Sequence, residues 1–580
     1  MIDFSVLVGG EAGFGIMTTG ALFSRIATRS GYHIFDYIEY PSLIRGGHNA
    51  YIVHVSEEET HCLKSTIDFL VCLNKDTFTI HKHQLTPSSY ILYDSEEFEP
   101  EGEYKKISVP FKKILAELKG QAVMKNIVAL GSLLALLGTD LNILNALLVK
   151  QFGRKGEEVI SFNKQFAEKG FNHVKTQYAS SIVSFLPGKQ SEEKLVLSGN
   201  EVFSLGAVIA DCRFYSAYPM TPSSSVLTTL AAWQEKIGMV VRHAEDEISV
   251  INTALGSSFA GVRSAVGTSG GGFALMVESI SFSGVAEIPI VIFLAQRPGP
   301  ATGMPTWTEQ GDLLFAVHAG HGEFQKIVLS AGDVGEMLEI AIKAFDLADI
   351  YQLPVIVMSE MLLSESHTSL TKSFVDNVIK QYSVQRGKTI GQDERLKMKD
   401  ERYLRYKITE DGISPRLIPG VKGSFYQANS YEHIEDGHTT EDAIPRIQQV
   451  DKRARKWKTY LMKDFHGPKA YGDVEKTDTV LVSWGANKGA IIMAQEMLKK
   501  QSKEVGYLHF THLYPLNKEV VKPFFKEGKR YILVENNFDG QFGKLLQMET
   551  GVEIKERLLR YDGRQITPEQ IVEKILNSKS

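Results

Sequence analysis

The stretch GMVVRHAEDEISVINTALGSSFAG, residues 238–261, decides the fold. GMVVRHA reads as a strand, EDE as an acidic turn, and EISVINTALGSSFAG as a helix. The alternation continues. RSAVGTS, IPIVIFLAQ and LPVIVMSE are further strands, and VGEMLEIAIKAFDLAD is a further helix. Strands alternating with helices make a mostly parallel sheet. Residues 196–365 are therefore read as one α/β unit. Sheets of this kind bind ligands outside the carboxyl ends of their strands, so the loops at those ends carry the functional reading.

Four such loops stand out. YPMTPSS (218–224) places Thr221 between Pro219 and Pro222. Proline fixes its own φ and restricts the residue before it, so the Thr221 hydroxyl is held. It can donate to a carboxylate, or the turn can be an ordinary helix cap. EDE (245–247) opens a helix, where acids complement the dipole. TSGGGF (268–273) has three consecutive glycines, which let something flat or another backbone approach. QRPGPATGMPTWTEQGDL follows an apolar strand with Arg297, whose guanidinium can grip a carboxylate through two parallel bonds.

Upstream, DFSVLVGG, the loop EAGFG, IMTTGALFSRIATRSG and YHIFDYI read as strand, turn, helix and strand, a βαβ unit in a domain of residues 1–190. Its glycines fall as GxxGxG at 10, 13 and 15, so a tight turn explains them better than a dinucleotide fingerprint does. RGGHN (45–49) is a second glycine cluster. IVALGSLLALLG (127–138) is too short to span a bilayer and reads as a buried helix. LPGKQSEEKLVLSGN (186–200) reads as a linker. Downstream, 366–475 is a charged excursion broken by Gly and Pro. From 476 to 580, TDTVLVSWG, EVGYLHFTHL and KRYILVENN restore an α/β pattern.

Composition narrows the function classes. The chain has 580 residues, 43% hydrophobic and 23% charged, with net charge -5. That balance disfavours a nucleic-acid partner. The basic run KRARKWK (452–458) reads as a solvated helix face. HKH (81–83) reads as a solvated pair rather than a metal site. Three cysteines, Cys62, Cys72 and Cys212, contain no CxxC pair and cannot supply a four-thiolate cluster. The N-terminus lacks a signal-peptide pattern, and the expected location is the cytoplasm.

Taken together, the motifs YPMTPSS, HAEDEISVINTALGSSFAG, TSGGGFALM, QRPGPATGMPTWTEQGDL, ISPRLIPG and YEHIEDGHTTED resemble the alpha subunits of 2-oxoacid:ferredoxin oxidoreductases. The 2-oxoglutarate type is the nearer likeness. GEAGFGIMTTG with RGGHNAYIVHVS resembles that family's gamma domain, fused in front. The resemblance implies a multidomain α/β chain. In it, a gamma-type domain precedes a pyrimidine-type thiamine diphosphate-binding domain with a parallel sheet. A transketolase C-terminal-like α/β domain follows the excursion. It further implies oxidative decarboxylation of a 2-oxoacid with coenzyme A to acyl-CoA and carbon dioxide, electrons passing to ferredoxin. The alternatives are pyruvate or a branched 2-oxoacid as substrate, or a non-catalytic interaction subunit of the same fold.

Residue roles follow from the same resemblance. The aminopyrimidine needs a carboxylic group on its ring nitrogen to reach its imino tautomer. Glu247 matches, with Glu245 as the other candidate. The oxoacid carboxylate falls to Thr221, Arg297 and Thr306, and Tyr218 and Pro219 border the cofactor. The chain departs from the pattern at Gly271, Ala301 and Trp307. An indole lining the pocket would favour a less polar oxoacid tail. No GDG motif is present, so Mg²⁺ and the diphosphate are expected on a separate beta subunit that also carries a [4Fe-4S] cluster. No metal ligands are assigned to this chain. The implied assembly is two alpha and two beta chains.

Overall fold

The alternation around residue 240 does produce a parallel sheet. The computed structural model describes residues 2–577 apart from 43–45, 190, 398–401 and 423–424, so Arg45 of RGGHN lies outside the described residues. Among these residues the sheet has seven strands. Their order is His512–Tyr514, Ile327–Ser330, Pro354–Glu360, Ile290–Gln296, Ser264–Thr268, Phe214–Ala217, Val240–His243. Every pair is parallel except the edge strand His512–Tyr514. All residues of Ile290–Gln296 and Pro354–Glu360 are buried, as expected for a sheet covered on both faces. The chain leaves Phe214–Ala217 in one direction and returns to Ser264–Thr268 on the other side. That reversal is a topological switch point, and it opens a crevice at the carboxyl ends of these two strands.

A five-stranded sheet follows in the order Lys469–Tyr471, Gly506–Phe510, Thr479–Trp484, Arg530–Glu535, Glu556–Leu559. It is parallel except at Lys469–Tyr471. Both sheets belong to one compact unit, formed by Gly199–Ser364, Val378–Ile566 and the segment from Ile571.

The other unit takes the residues up to Ser198 together with Glu365–Asn377 and Thr567–Gln570. Its eight-stranded sheet runs Lys105–Ser108, Leu85–Tyr93, Ile67–Cys72, Asp3–Glu11, His48–Ser56, His33–Glu39, His367–Thr371, Lys194–Ser198. The apolar helix read at 127–138 is Lys125–Leu136, and every residue in it is buried. It packs against Glu157–Gln177 at very close range. A Cβ on Gly131 would stand 2.1 Å from the Ala167 carbonyl, and one on Gly170 2.1 Å from that of Val128. Among the described residues no helix is long and apolar enough to cross a membrane.

Four local readings change. The N-terminal βαβ unit is split: His48–Ser56 inserts between Asp3–Glu11 and His33–Glu39 and pairs antiparallel with both. The glycine loop is the tight turn expected, with Gly13 and Gly15 at positive φ. The stretch read as a linker contributes strand Lys194–Ser198, paired antiparallel with His367–Thr371. His81 of HKH is buried, not solvated; its Nε2 lies 2.8 Å from that of His48, and its Nδ1 meets Gln84.

The basic run is also not a solvated face. Lys452, Arg453 and Lys456 on helix Ala443–Lys463 are buried. Lys452 and Lys456 both pair with Glu287, which is fully buried at the end of helix Gly270–Ala286. Arg453 makes two bonds to Glu432. The partners lie far along the chain, so the local charge pattern could not reveal them.

Candidate active site

The acidic turn EDE divides its labour among three environments. Asp246 has extended backbone and caps helix Glu247–Phe259, its Oδ1 accepting from the Ser249 N–H at 2.7 Å. Glu245 is exposed. Glu247 is only 4% exposed, and its Oε1 has no hydrogen-bond partner among the described residues. A buried carboxylate oxygen without a donor is costly.

TSGGGF makes that placement possible. Helix Gly270–Ala286 starts within it. A Cβ on Gly272 would stand 2.5 Å from Glu247 Oε1 and 2.2 Å from Thr268 Oγ1. A Cβ on Gly270 would stand 2.5 Å from Asp312 Oδ2, and one on Gly271 3.7 Å from Met220 Sδ. The glycines thus admit two carboxylates, where the sequence suggested a flat ligand or a backbone.

The turn after Phe214–Ala217 is pinned from several sides. Arg297 Nη1 donates to the Thr221 carbonyl at 2.8 Å, Asn200 Nδ2 to that of Pro222 at 2.7 Å, and Ser223 Oγ to that of Met220 at 2.8 Å. Thr221 is half-buried, while Tyr218 and Pro219 are exposed at the rim. The Tyr218 ring lies 6.3 Å from the His243 ring.

The loop after Ile290–Gln296 folds back on itself. The Met304 N–H donates to the Pro298 carbonyl at 3.0 Å, and the Trp307 N–H to that of Met304 at 3.2 Å. Thr306 is buried, and Thr308 Oγ1 accepts from the Leu362 N–H at 3.3 Å. Trp307 is half-buried, with the Arg564 guanidinium 3.2 Å from its ring centroid. Glu247, Thr221 and Arg297 therefore share one end of the sheet. The Gly270–Gly272 segment and Asp312 link them.

The electrostatics of this end were not visible in the sequence. Burial pushes Asp312 up to about 6, against the pull of Arg297. Burial and the neighbouring Asp312 push Glu309 up to about 7. Burial lowers Arg297, and Asp312 opposes that. Glu360, at the end of Pro354–Glu360, is pushed by burial up to about 8, although the Ala486 N–H donates to it at 2.6 Å. Gln310 bonds to Trp484 O, Asn487 and Asn536 and fixes the loop. Glu309, Gln310 and Asp312 lie in the stretch QRPGPATGMPTWTEQGDL; Gln310 is buried and the two acids half-buried, a signal that exists only in three dimensions.

The donor set fits an aminopyrimidine. Glu247 Oε1 offers a buried carboxyl to a ring nitrogen, and Gly272 leaves room for that carboxyl. Among the described residues, no group of three or more His, Cys, Asp or Glu side chains could hold a metal ion, and the three cysteines are buried.

Comparison with known proteins gives concordant matches. A model described as pyruvate flavodoxin/ferredoxin oxidoreductase, thiamine diphosphate-binding, matches residues 205–452, and one described as pyruvate ferredoxin/flavodoxin oxidoreductase matches 5–173. The chain is 30% identical to the 2-oxoacid:ferredoxin oxidoreductase subunit alpha of a Sulfolobus species, covering 99% of this chain and 96% of that one. It is 28% identical to the 2-oxoglutarate synthase subunit KorA of Methanothermobacter thermautotrophicus, covering 66% and 98%. Among solved structures it resembles the 2-oxoglutarate:ferredoxin oxidoreductase of Magnetococcus marinus with 2-oxoglutarate, coenzyme A and succinyl-CoA bound. That match has a TM-score of 0.90 and 30% identity over 99% of each chain.

Proposed function

This chain belongs to the 2-oxoacid:ferredoxin oxidoreductase family as an alpha subunit, and from that premise we propose how its residues divide the chemistry. Glu247 is the acid on the pyrimidine of thiamine diphosphate. The observation that carries this reading is its buried Oε1, without a donor among the described residues. Held out of water, Glu247 passes a proton between Oε1 and a ring nitrogen, and its burial keeps that exchange from being diluted by solvent. Exposed Glu245 has no such environment. Tyr218 and Pro219 border the cofactor at the rim. When bound, thiamine diphosphate supplies the nucleophilic carbon and the electron sink for decarboxylation.

The Thr221 and Thr306 hydroxyls and the Arg297 guanidinium hold the oxoacid carboxylate. Arg297 is fixed by its bond to the Thr221 carbonyl, so cation and hydroxyl move together. The overall conversion takes a 2-oxoacid anion, coenzyme A and two oxidised ferredoxins to acyl-CoA, carbon dioxide, two reduced ferredoxins and a proton. The proposed oxoacid is 2-oxoglutarate, supported by the KorA relative and the ligands of the Magnetococcus marinus structure.

A beta subunit supplies the Mg²⁺–diphosphate site and a [4Fe-4S] cluster, in an assembly of two alpha and two beta chains. The missing GDG motif and a cysteine count of three, too few for a four-thiolate cluster, support that division. We place the complex in the cytoplasm, where such thiols stay reduced. Residues 1–190 are the gamma-type domain, 196–365 the pyrimidine-type domain, 366–475 the excursion, and 476–580 the transketolase C-terminal-like domain. The test is co-expression with the beta subunit and assay of CoA-dependent viologen reduction. Glu247→Gln removes turnover while the complex still assembles; near-normal turnover rejects the role of Glu247.

A further inference from the structure

Arg564 stands apart from the arginines around it. Its neighbour Arg560 takes both oxygens of Asp562, through Nε at 2.8 Å and Nη2 at 3.0 Å. The Arg564 side chain donates to the Asp562 backbone carbonyl at 3.3 Å and forms no ion pair among the described residues. Two guanidinium charges thus share one carboxylate. The surplus charge is not left to wander. The Arg564 backbone is fixed at both ends, its N–H donating to Asp562 Oδ1 at 3.0 Å and its carbonyl accepting from Asn536 Nδ2 at 2.7 Å. Its guanidinium lies over the Trp307 ring, where the π face holds a cation.

The clasp between the two segments is tight. The Thr308 N–H donates to the Gly563 carbonyl at 3.2 Å. Gly563 has φ +79, and a Cβ there would stand 3.1 Å from both Trp307 Cβ and Met304 Cε. Only a residue without a side chain lets this turn press on the indole. Trp307 in turn follows Thr306. Two backbone bonds, Trp307 to Met304 and Met304 to Pro298, fold its loop back toward Arg297. One loop therefore carries two positioned cations. Arg297 is its own, and Arg564 is borrowed from 257 residues further along.

We propose that Arg564, held on Trp307, binds the second carboxylate of a dicarboxylic 2-oxoacid and so makes this site selective for such substrates over monocarboxylic ones. The inference rests on the assignment of Arg297 and Thr306 to the first carboxylate. It reverses the expectation that the Trp307 indole favours a less polar tail: the indole carries a cation over its face. Trp307 is then a positioning residue, and Arg564 a binding residue.

The test uses the chain assembled with its beta subunit and compares 2-oxoglutarate with 2-oxovalerate, which has the same carbon count and no second carboxylate. The wild-type complex has the lower KM for 2-oxoglutarate. Loss of a charged hydrogen bond weakens binding about 10- to 100-fold. In Arg564→Ala the ratio of the 2-oxovalerate KM to the 2-oxoglutarate KM therefore falls at least about tenfold, and Arg564→Lys recovers part of it. An unchanged ratio, including equal losses on both substrates, overturns the inference. A second readout does not depend on that variant folding: 2-oxoglutarate changes the tryptophan emission of the wild-type complex more than 2-oxovalerate does, and Trp307→Phe removes the difference. Equal responses to the two acids also overturn it. A wild-type complex that turns over neither acid overturns the functional reading itself, and this inference with it.

Discussion

Substituting Glu287→Gln tests the buried charge cluster directly. Glu287 and Lys452 are wholly inaccessible to solvent, and Lys456 nearly so. Lys456 Nζ lies 2.6 Å from Glu287 Oε2, and Lys452 meets Oε1. Arg405 Nη2 donates to the Glu287 carbonyl at 2.8 Å. Burial raises the Glu287 carboxyl, but Lys452, Lys456 and Arg405 outweigh it and hold the group well below the usual carboxylate range. Burial lowers Lys452 to about 7 and Lys456 to about 8, against the pull of Glu287. Removing the one anion leaves buried cations unpaired, which costs about 3–5 kcal/mol near neutral pH.

The pH dependence separates this from a packing defect. A lysine with a lowered folded pKa binds fewer protons folded than unfolded, between its folded value and its ordinary one of about 10.4. Stability from Lys452 and Lys456 therefore rises with pH above about 7. Without Glu287 these lysines release their protons still more readily. The deficit of Glu287→Gln is thus largest near pH 6 and shrinks by about 1–2 kcal/mol by pH 9, since each proton contributes up to about 1.4 kcal/mol per pH unit. Amide hydrogen exchange of helices Ala443–Lys463 and Gly270–Ala286 reads this without assuming that a two-unit chain unfolds in one step. A deficit below about 1 kcal/mol, or one equal at pH 6 and 9, refutes the reasoning.

Other outcomes follow from the same geometry. Arg297→Ala raises KM for every 2-oxoacid, since a lost charged hydrogen bond costs about 1.5–3 kcal/mol; steady-state kinetics with an unchanged KM removes Arg297 from the substrate site. Gly272→Ala drives a methyl into Glu247 Oε1 and Thr268 Oγ1, at the separations of 2.5 and 2.2 Å, and weakens thiamine diphosphate binding by calorimetry while costing about 1–3 kcal/mol of stability; wild-type affinity contradicts this packing. Asp312 and Glu309, raised to about 6 and about 7, lose their negative charge as pH falls from 8 to 5, so 2-oxoacid KM falls over that range and Asp312→Asn flattens the profile. An identical profile in the variant discounts Asp312. Gly131→Ala pushes a Cβ into the Ala167 carbonyl and lowers the thermal midpoint of the complex; an unchanged midpoint means the two helices separate freely.

Much of this site was legible because its parts are local. Pro219 and Pro222 mark a turn, EDE marks a helix start, and Arg297 follows an apolar strand; each signal lies within a few residues of the group it places. The readings that changed depend on partners remote in sequence. Lys452 and Lys456 look solvated until Glu287, more than 160 residues away, is set beside them. Trp307 reads as an apolar wall until Arg564 covers it. His81 is buried because His48, on a strand that inserts between two others, reaches it. EDE itself could not be resolved from charge alone, since all three acids suit a helix N-terminus; burial separates capping Asp246 from Glu247.

The most direct measurement is a structure of the complex with its beta subunit and thiamine diphosphate. The expected result is Glu247 Oε1 within hydrogen-bond distance of a pyrimidine ring nitrogen, with the diphosphate and its Mg²⁺ held by the partner. A pyrimidine seated elsewhere, with Glu247 touching no part of the cofactor, contradicts it.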